Sequence, residues 1–155
     1  MRVDRAREAA LDALAACRRN GAWIDGALKQ VLKRDGLSGR DAAFASRIAY
    51  GVMQNRIYLD RCLARCLTQR PEKLEPLLLD ILRIGAYQIL LMDKVPVNAA
   101  VNEAVEMAKA HKLSRAAGLV NAVLRNVDRR RGEPLAFADE LEALSVQTLS
   151  LIHIS

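Results

Sequence analysis

The sequence predicts an all-α protein, a compact bundle of about seven helices, on the basis of its composition and its helical periodicity. Apolar residues make up 52% of the 155 positions and aromatic residues only 4%, with eight glycines and four prolines. A chain of this length buries about two-thirds of its unfolded surface, which is enough for one domain core. Abundant alanine and leucine favour helices that pack closely through small side chains.

The first two helices follow from apolar spacing and from the residues that end them. Residues 3–19 place apolar side chains at intervals of three and four, which is typical of an amphipathic helix. Asn20-Gly21 is expected to end it, because this pair tolerates left-handed backbone. The same pattern predicts a second helix over residues 24–34 that stops at Asp35-Gly36.

A long helical stretch is predicted next, over residues 40–68. Ser38 and Asp41 resemble a capping box, with the Ser38 hydroxyl as cap and Asp41 in the first turn. The stretch is too long for one ordinary helix, so we expect a break at Gly51 or near Asn55.

Residues 72–92 are apolar on every side and are predicted to form the central helix of the core. Gly85 lies within this pattern and predicts a close helix crossing. Pro96 suits the entry to a helix over residues 97–111, and a last core helix is expected over residues 114–130.

The charge of the chain is concentrated before residue 132. The net charge is +6, but residues 1–131 carry 24 basic and 14 acidic side chains, hence +10. Arginine outnumbers lysine by 18 to 6, and its planar guanidinium suits bidentate contacts to phosphate. This balance favours nucleic acid or a ribosomal partner, with a merely basic helical protein as the alternative.

Ten basic side chains near the two ends of the predicted domain are the candidate RNA contacts. The three before and within the first helix could reach phosphates as an arm, and those after residue 108 include a run of three arginines at a helix end. A solvated helix end that complements the helix dipole is the other interpretation of that run. The candidates are Arg2, Arg5, Arg7, Lys109, Lys112, Arg115, Arg125, Arg129, Arg130 and Arg131.

No motif of enzymatic chemistry is present, so we predict no catalytic residue, no metal site and no cofactor within this chain. Glycine-rich nucleotide-binding loops are absent. Cys62 and Cys66 share a helix face, but a metal site needs further ligands, and we interpret both thiols as small core side chains. Three cysteines without a disulfide framework and no apolar span of about 20 residues indicate a soluble, cytoplasmic protein.

The aromatic residues give little support to base recognition. Most of them, including Phe44, Tyr50 and Tyr87, fall within helical apolar patterns, whereas single-strand platforms need exposed rings. We therefore expect specificity to come from RNA shape or from a second domain.

Three segments together resemble the NusB-like domain family. The first is residues 5–14 (RAREAALDAL), and the second is residues 81–90 (ILRIGAYQIL) with Val95-Pro96 after it. The third is residues 101–109 (VNEAVEMAK), which lead to residues 118–125 (GLVNAVLR). The resemblance implies an α-helical domain of about seven helices over residues 3–132. In the free-standing members, which are transcription antitermination factors, it also implies binding of RNA together with a ribosomal protein.

A second branch of that family is more similar, namely the N-terminal domain of RsmB-type ribosomal RNA cytosine methyltransferases. Tyr50-Gly51-Val52 and residues 121–126 (NAVLRN) match the sequence motifs of this branch. The resemblance implies an accessory domain that positions small-subunit ribosomal RNA for a covalently linked methyltransferase domain, whose cofactor would be S-adenosylmethionine. A free-standing antitermination factor and a helical protein-interaction module are the alternatives.

The end of the chain differs from the rest. Residues 133–148 are interpreted as the start of a linker toward the missing methyltransferase domain. Residues 149–155 (LSLIHIS) look like a translated sequencing adaptor, so we predict that they form a non-native tail after about Thr148.

Overall fold

The computed structural model describes residues 4–135 and shows an all-helical fold, as predicted. Seven α-helices and no strand lie within these residues. They are α1 (Arg5–Asn20), α2 (Ile24–Asp35), α3 (Gly39–Gln54), α4 (Arg56–Ala64), α5 (Pro76–Leu91), α6 (Val97–Ala110) and α7 (Ala117–Arg129). Short 3-10 turns at Pro71–Lys73 and Ser114–Ala116 precede α5 and α7.

Helix α1 begins and ends for local chemical reasons. The Asp4 carboxylate accepts a hydrogen bond from the Ala6 N–H at 2.9 Å, which caps the first turn. Gly21 follows the last residue with a φ of +64°, the left-handed cap that Asn20-Gly21 predicted.

The predicted break in the long helical stretch is at Asn55, where α3 ends and α4 begins. The Asn55 side chain donates to the Gly51 carbonyl at 2.8 Å, and the Asn55 backbone N–H donates to the same carbonyl at 3.0 Å, so Asn55 closes the last turn of α3. The predicted capping role of Ser38 is wrong. Ser38 precedes α3, but the chain enters this helix through Gly39 with a φ of +58°, and the Ser38 hydroxyl accepts no capping bond.

Helix α5 is the central helix, as its apolar composition predicted. Eleven of its sixteen residues are buried, and α1, α3, α4, α6 and α7 all pack against it. It starts four residues later than predicted, with Pro76 at its first position. The residue before a proline disfavours helical backbone, so Glu75 stays outside the helix.

Two glycines allow the closest helix contacts. A Cβ atom on Gly85 would lie 2.5 Å from Leu124 Cδ1, so this glycine lets α5 approach α7. A Cβ on Gly51 would lie 2.0 Å from the Tyr87 ring, so α3 approaches α5 in the same way. The predicted close crossing at Gly85 is thus confirmed.

Candidate nucleic-acid interface

The N-terminal candidates differ in their exposure and in their contacts. Arg2 lies outside the described residues. Arg5 is exposed, and its guanidinium donates to the backbone carbonyl of Asp35 at the end of α2, where a cation complements the helix dipole.

Arg7 is held within the fold instead of facing solvent. Only 8% of its surface is exposed. Its guanidinium pairs with Asp4, donates from Nε to Gln88 Oε1 at 2.8 Å, and lies 5.0 Å from the centre of the Phe44 ring. These contacts join α1 to α3 and α5, so in this conformation the Arg7 charge is engaged by the protein itself.

The end of α6 is brought to the start of α1 by a contact between side chains. The imidazole of His111, which follows the last residue of α6, contacts the Glu8 carboxylate through Nε2. Burial raises the pKa of Glu8, and the bond to His111 opposes that rise. This link places the basic turn after α6 beside the first turns of α1.

Three predicted candidates lie in and after the last turn of α6. Lys109 and Lys112 are exposed, and Lys112 has a φ of +63°, a left-handed conformation that is uncommon for a residue with a side chain. Arg115 is exposed in the 3-10 turn that follows. We call Arg5, Lys109, Lys112 and Arg115 the α1 basic group.

The remaining candidates gather around the C-terminal half of α7. Arg125 donates to the Asn98 side chain at 2.6 Å, and Arg129 donates to Asn126 at 3.3 Å. Arg130 donates to the Arg65 carbonyl at 2.8 Å, and Arg131 to the Ile89 carbonyl at 2.7 Å. We call Arg65, Arg125, Arg129, Arg130 and Arg131 the α7 basic group.

The two groups are separated by the length of a helix. Arg125 contacts Asn98 in the first turn of α6, whereas Lys109 lies in its last turn. A helix of 14 residues is about 21 Å long. The candidates between Lys109 and Arg131, which are continuous in sequence, therefore form two surfaces, because α7 runs back along α6.

The members of each group differ in how far their charge is neutralised. Within residues 4–135, Lys112 and Arg115 form no ion pair, and Arg125 and Arg129 donate only to amide oxygens. Carboxylates pair with three members at 3.1 to 3.7 Å, through Glu106 to Lys109, Glu133 to Arg130 and Asp128 to Arg131. The remaining two, Arg5 and Arg65, donate to backbone carbonyls. Lys112, Arg115, Arg125 and Arg129 are thus the charges most available to an anionic ligand.

Two features were not recognised in the sequence. Arg65 joins the α7 basic group through Arg130, and its guanidinium donates to the Glu133 carbonyl at 3.0 Å. Trp23 is 86% exposed and Tyr50 is 41% exposed, whereas Phe44 and Tyr58 are half-buried and Tyr87 is buried, so the expectation holds for three of the five described aromatic rings. Trp23 lies just outside the apolar pattern of α2, and this position was the available signal.

Residues 4–135 contain neither a cluster of potential metal ligands nor a helix that could span a membrane. Cys62 is buried and Cys66 is half-buried, and residues 4–135 bring no three potential metal ligands together. None of the helices in this part of the chain is long and apolar enough to cross a membrane.

The chain belongs to the NusB family, whose sequence profile matches residues 4–129. It is similar to two kinds of protein. The probable ribosomal RNA small subunit methyltransferase B of Bacillus subtilis is 35% identical over 150 residues, which are 96% of this chain and 33% of that protein. The transcription antitermination protein NusB of Chloroflexus aggregans is 33% identical over 129 residues, which are 81% of this chain and 86% of that protein.

The fold is also shared with a solved structure. A chain in the crystal structure of the antitermination factors NusB and NusE in complex with double-stranded RNA superposes with a TM-score of 0.74 and 18% identity. The superposition covers 81% of this chain and 95% of that one. The chain described here spans about a third of the length of the methyltransferase relative that it matches.

Proposed function

We propose that this chain is an RNA-binding domain of the NusB type that contacts the phosphate backbone of ribosomal RNA. The observation that carries the proposal is the pair of basic groups, in which Lys112, Arg115, Arg125 and Arg129 have no carboxylate partner within residues 4–135. A guanidinium held by an amide oxygen, as in Arg125, keeps its charge and is already oriented. The structural similarity to a chain in a NusB–NusE complex that was solved with double-stranded RNA supports the proposal of RNA binding.

The physical basis of such binding is the release of counterions. Each phosphate neutralised by lysine or arginine frees condensed cations, so affinity falls steeply as salt rises. Phosphate contacts fix the position of the RNA, but they carry little sequence information. The domain therefore supplies affinity and orientation, and selection of a target nucleotide falls to RNA shape or to another domain.

RNA binding is tested by titration of the whole chain against a structured fragment of small-subunit ribosomal RNA. Fluorescence anisotropy of the labelled RNA gives the Kd at several salt concentrations. We expect the affinity to fall by a factor of about ten or more between 50 and about 200 mM salt. Absence of binding at the lowest salt concentration would exclude the proposal.

We further propose that the domain belongs to a small-subunit ribosomal RNA 5-methylcytosine methyltransferase and positions RNA for its catalytic domain. The alignment with the B. subtilis methyltransferase, which extends over 96% of this chain, supports this assignment. In such a protein S-adenosylmethionine and the catalytic cysteines belong to the other domain, and residues 4–135 take no chemical role. We assign the protein to the cytoplasm, where its RNA substrate would be met.

A free-standing antitermination factor is the second candidate, favoured by the match to NusB of C. aggregans over 86% of that protein. A factor of this kind would act with a ribosomal-protein partner. Sequencing of the source locus past the codon for Thr148, on unfragmented template, separates the two. A frame that continues into a domain with a cofactor-binding glycine loop and a catalytic cysteine is the expected result. A stop codon within a few residues would instead assign the antitermination role.

A further inference from the structure

An exposed tryptophan stands at the end of α1 opposite to Arg5. Trp23 is the one tryptophan in the chain, and 86% of its surface is exposed. Its backbone is fixed, because it precedes α2 and its carbonyl accepts the Ala27 N–H at 3.1 Å. Tryptophan is highly buried on average, so this degree of exposure is unusual for the residue type.

Two further apolar side chains are exposed on the neighbouring helix α3. Tyr50 and Met53 are 41% and 39% exposed. The Tyr50 hydroxyl donates to the carboxylate of Asp25, two residues after Trp23, and this bond ties α3 to the start of α2. Trp23, Tyr50 and Met53 are three of the five large apolar side chains that are exposed within residues 4–135.

A cavity lined by three arginines and the carboxylate of Asp80 lies directly beside this aromatic surface. Its volume is about 290 Å³, and Ala22 and Met53 form part of its wall together with Arg18, Arg56 and Arg83. Arg18 pairs with the buried carboxylate of Asp80, which also accepts from Arg83 at 3.2 Å. Arg56 is exposed and forms no ion pair within the described part of the chain.

We infer that this surface binds single-stranded RNA, with a base stacked on Trp23 and the adjoining phosphate held by Arg56, the exposed arginine of the cavity wall. Single-strand binding combines a basic groove with aromatic rings that stack on any base. This inference rests on the proposed function, and it adds a base-stacking contact to a domain otherwise assigned to phosphates. Helix α1 has 16 residues and is about 24 Å long, so an RNA that reaches both Arg5 and Trp23 runs along the whole helix.

The chemistry favours RNA over a protein partner at this surface. A stable protein interface covers about 800 Å² on each side around an apolar centre. Here one largely exposed ring and two partly exposed side chains adjoin three arginines, which gives too little apolar area for such a centre. Stacking of one base needs only the face of one ring.

The first experiment uses the fluorescence of Trp23, which reports on this position alone. The whole chain is titrated with a short oligouridylate and, separately, with a double-stranded RNA of equal length. Binding is followed independently through the anisotropy of labelled RNA. We expect the single strand to quench Trp23 emission as it binds, and the duplex, whose bases are already stacked, to bind without comparable quenching.

The second experiment compares variants in their affinity for the oligouridylate. Trp23→Ala is expected to weaken binding about tenfold, and Leu119→Ala, which removes another exposed apolar side chain, is expected to leave it unchanged. Arg56→Ala should weaken binding more than Lys29→Ala, an equal loss of charge on the exposed side of α2. Far-ultraviolet circular dichroism shows that each variant is folded.

The outcomes separate this inference from the proposed function. The stacking site is overturned if anisotropy shows that RNA binds while Trp23 emission stays constant and Trp23→Ala keeps the wild-type affinity. The proposed function then still stands, and the surface is reassigned to protein contact. RNA that does not bind at all overturns both.

Discussion

Arg5 and Arg7 are two positions apart, yet they have opposite environments. A helix advances about 100° per residue, so residues at this spacing lie on different faces. Arg7 shares the face of Ala10, Leu11 and Leu14, all of which are buried. The apolar periodicity of α1 indicates that Arg7 lies on the buried face, whereas charge alone does not distinguish Arg7 from Arg5.

Replacement of Arg7 should therefore affect stability more than replacement of Arg5. We expect Arg7→Ala to lower the free energy of unfolding by about 2 kcal/mol, because it leaves buried partners unsatisfied. Arg5→Ala should cost less than about 0.5 kcal/mol, as is usual for an exposed side chain. Urea denaturation measures both. Equal decreases in the free energy of unfolding would show that the contacts of Arg7 with Asp4 and Gln88 stabilise the fold no more than the exposed Arg5 does.

The three thiols should react slowly in the folded protein. Burial raises the pKa of Cys17, Cys62 and Cys66, and the thiolate is the reactive form. At about pH 8 a raised pKa leaves a smaller thiolate fraction, so alkylation by iodoacetamide should be slower than in urea. Cys62, which is 3% exposed, should be the slowest. Mass spectrometry of peptides checks this order, and rapid labelling of Cys62 in the native state would contradict it.

At the scale of the elements, most helices could be predicted from apolar spacing alone. The helices over residues 24–34 and 97–111 were placed within one residue of α2 and α6 at each end. The errors lie where local conformation overrides periodicity. Pro76 delays the start of α5, and a 3-10 turn replaces the expected first turn of α7.

The crossing of α5 and α7 depends on the absence of a side chain at Gly85. We expect Gly85→Ala to destabilise the fold by about 1–3 kcal/mol, because its methyl group would overlap Leu124. Gly26→Ala in α2 is the matched control, since nothing lies within 4 Å of its added Cβ. That change should be neutral or stabilise by up to about 1 kcal/mol. Two urea titrations decide the matter, and similar free energies for both variants would contradict the close crossing.

At the scale of the whole molecule, the sequence identified the basic residues but not their arrangement. Lys109 to Arg131 appeared as one cluster, and the antiparallel packing of α6 and α7 divides it. Arg5 and Lys112 lie in one basic group because the Glu8 side chain contacts His111, and these two residues are 103 positions apart in the sequence. A contact at that sequence distance leaves no trace in local periodicity or charge spacing.

The most direct test of the central claim, that the basic groups bind RNA, compares two double substitutions of equal charge. Lys112→Ala with Arg115→Ala removes charges that lack ion-pair partners, and Lys29→Ala with Lys33→Ala removes two exposed charges on α2. The Kd for structured ribosomal RNA is measured for each variant across a salt series. We expect the first pair to weaken binding about tenfold or more and to reduce the magnitude of the salt slope by up to about 2, with the second pair close to wild type. Equal affinities and equal salt slopes for the two variants would contradict an RNA site at the α1 basic group.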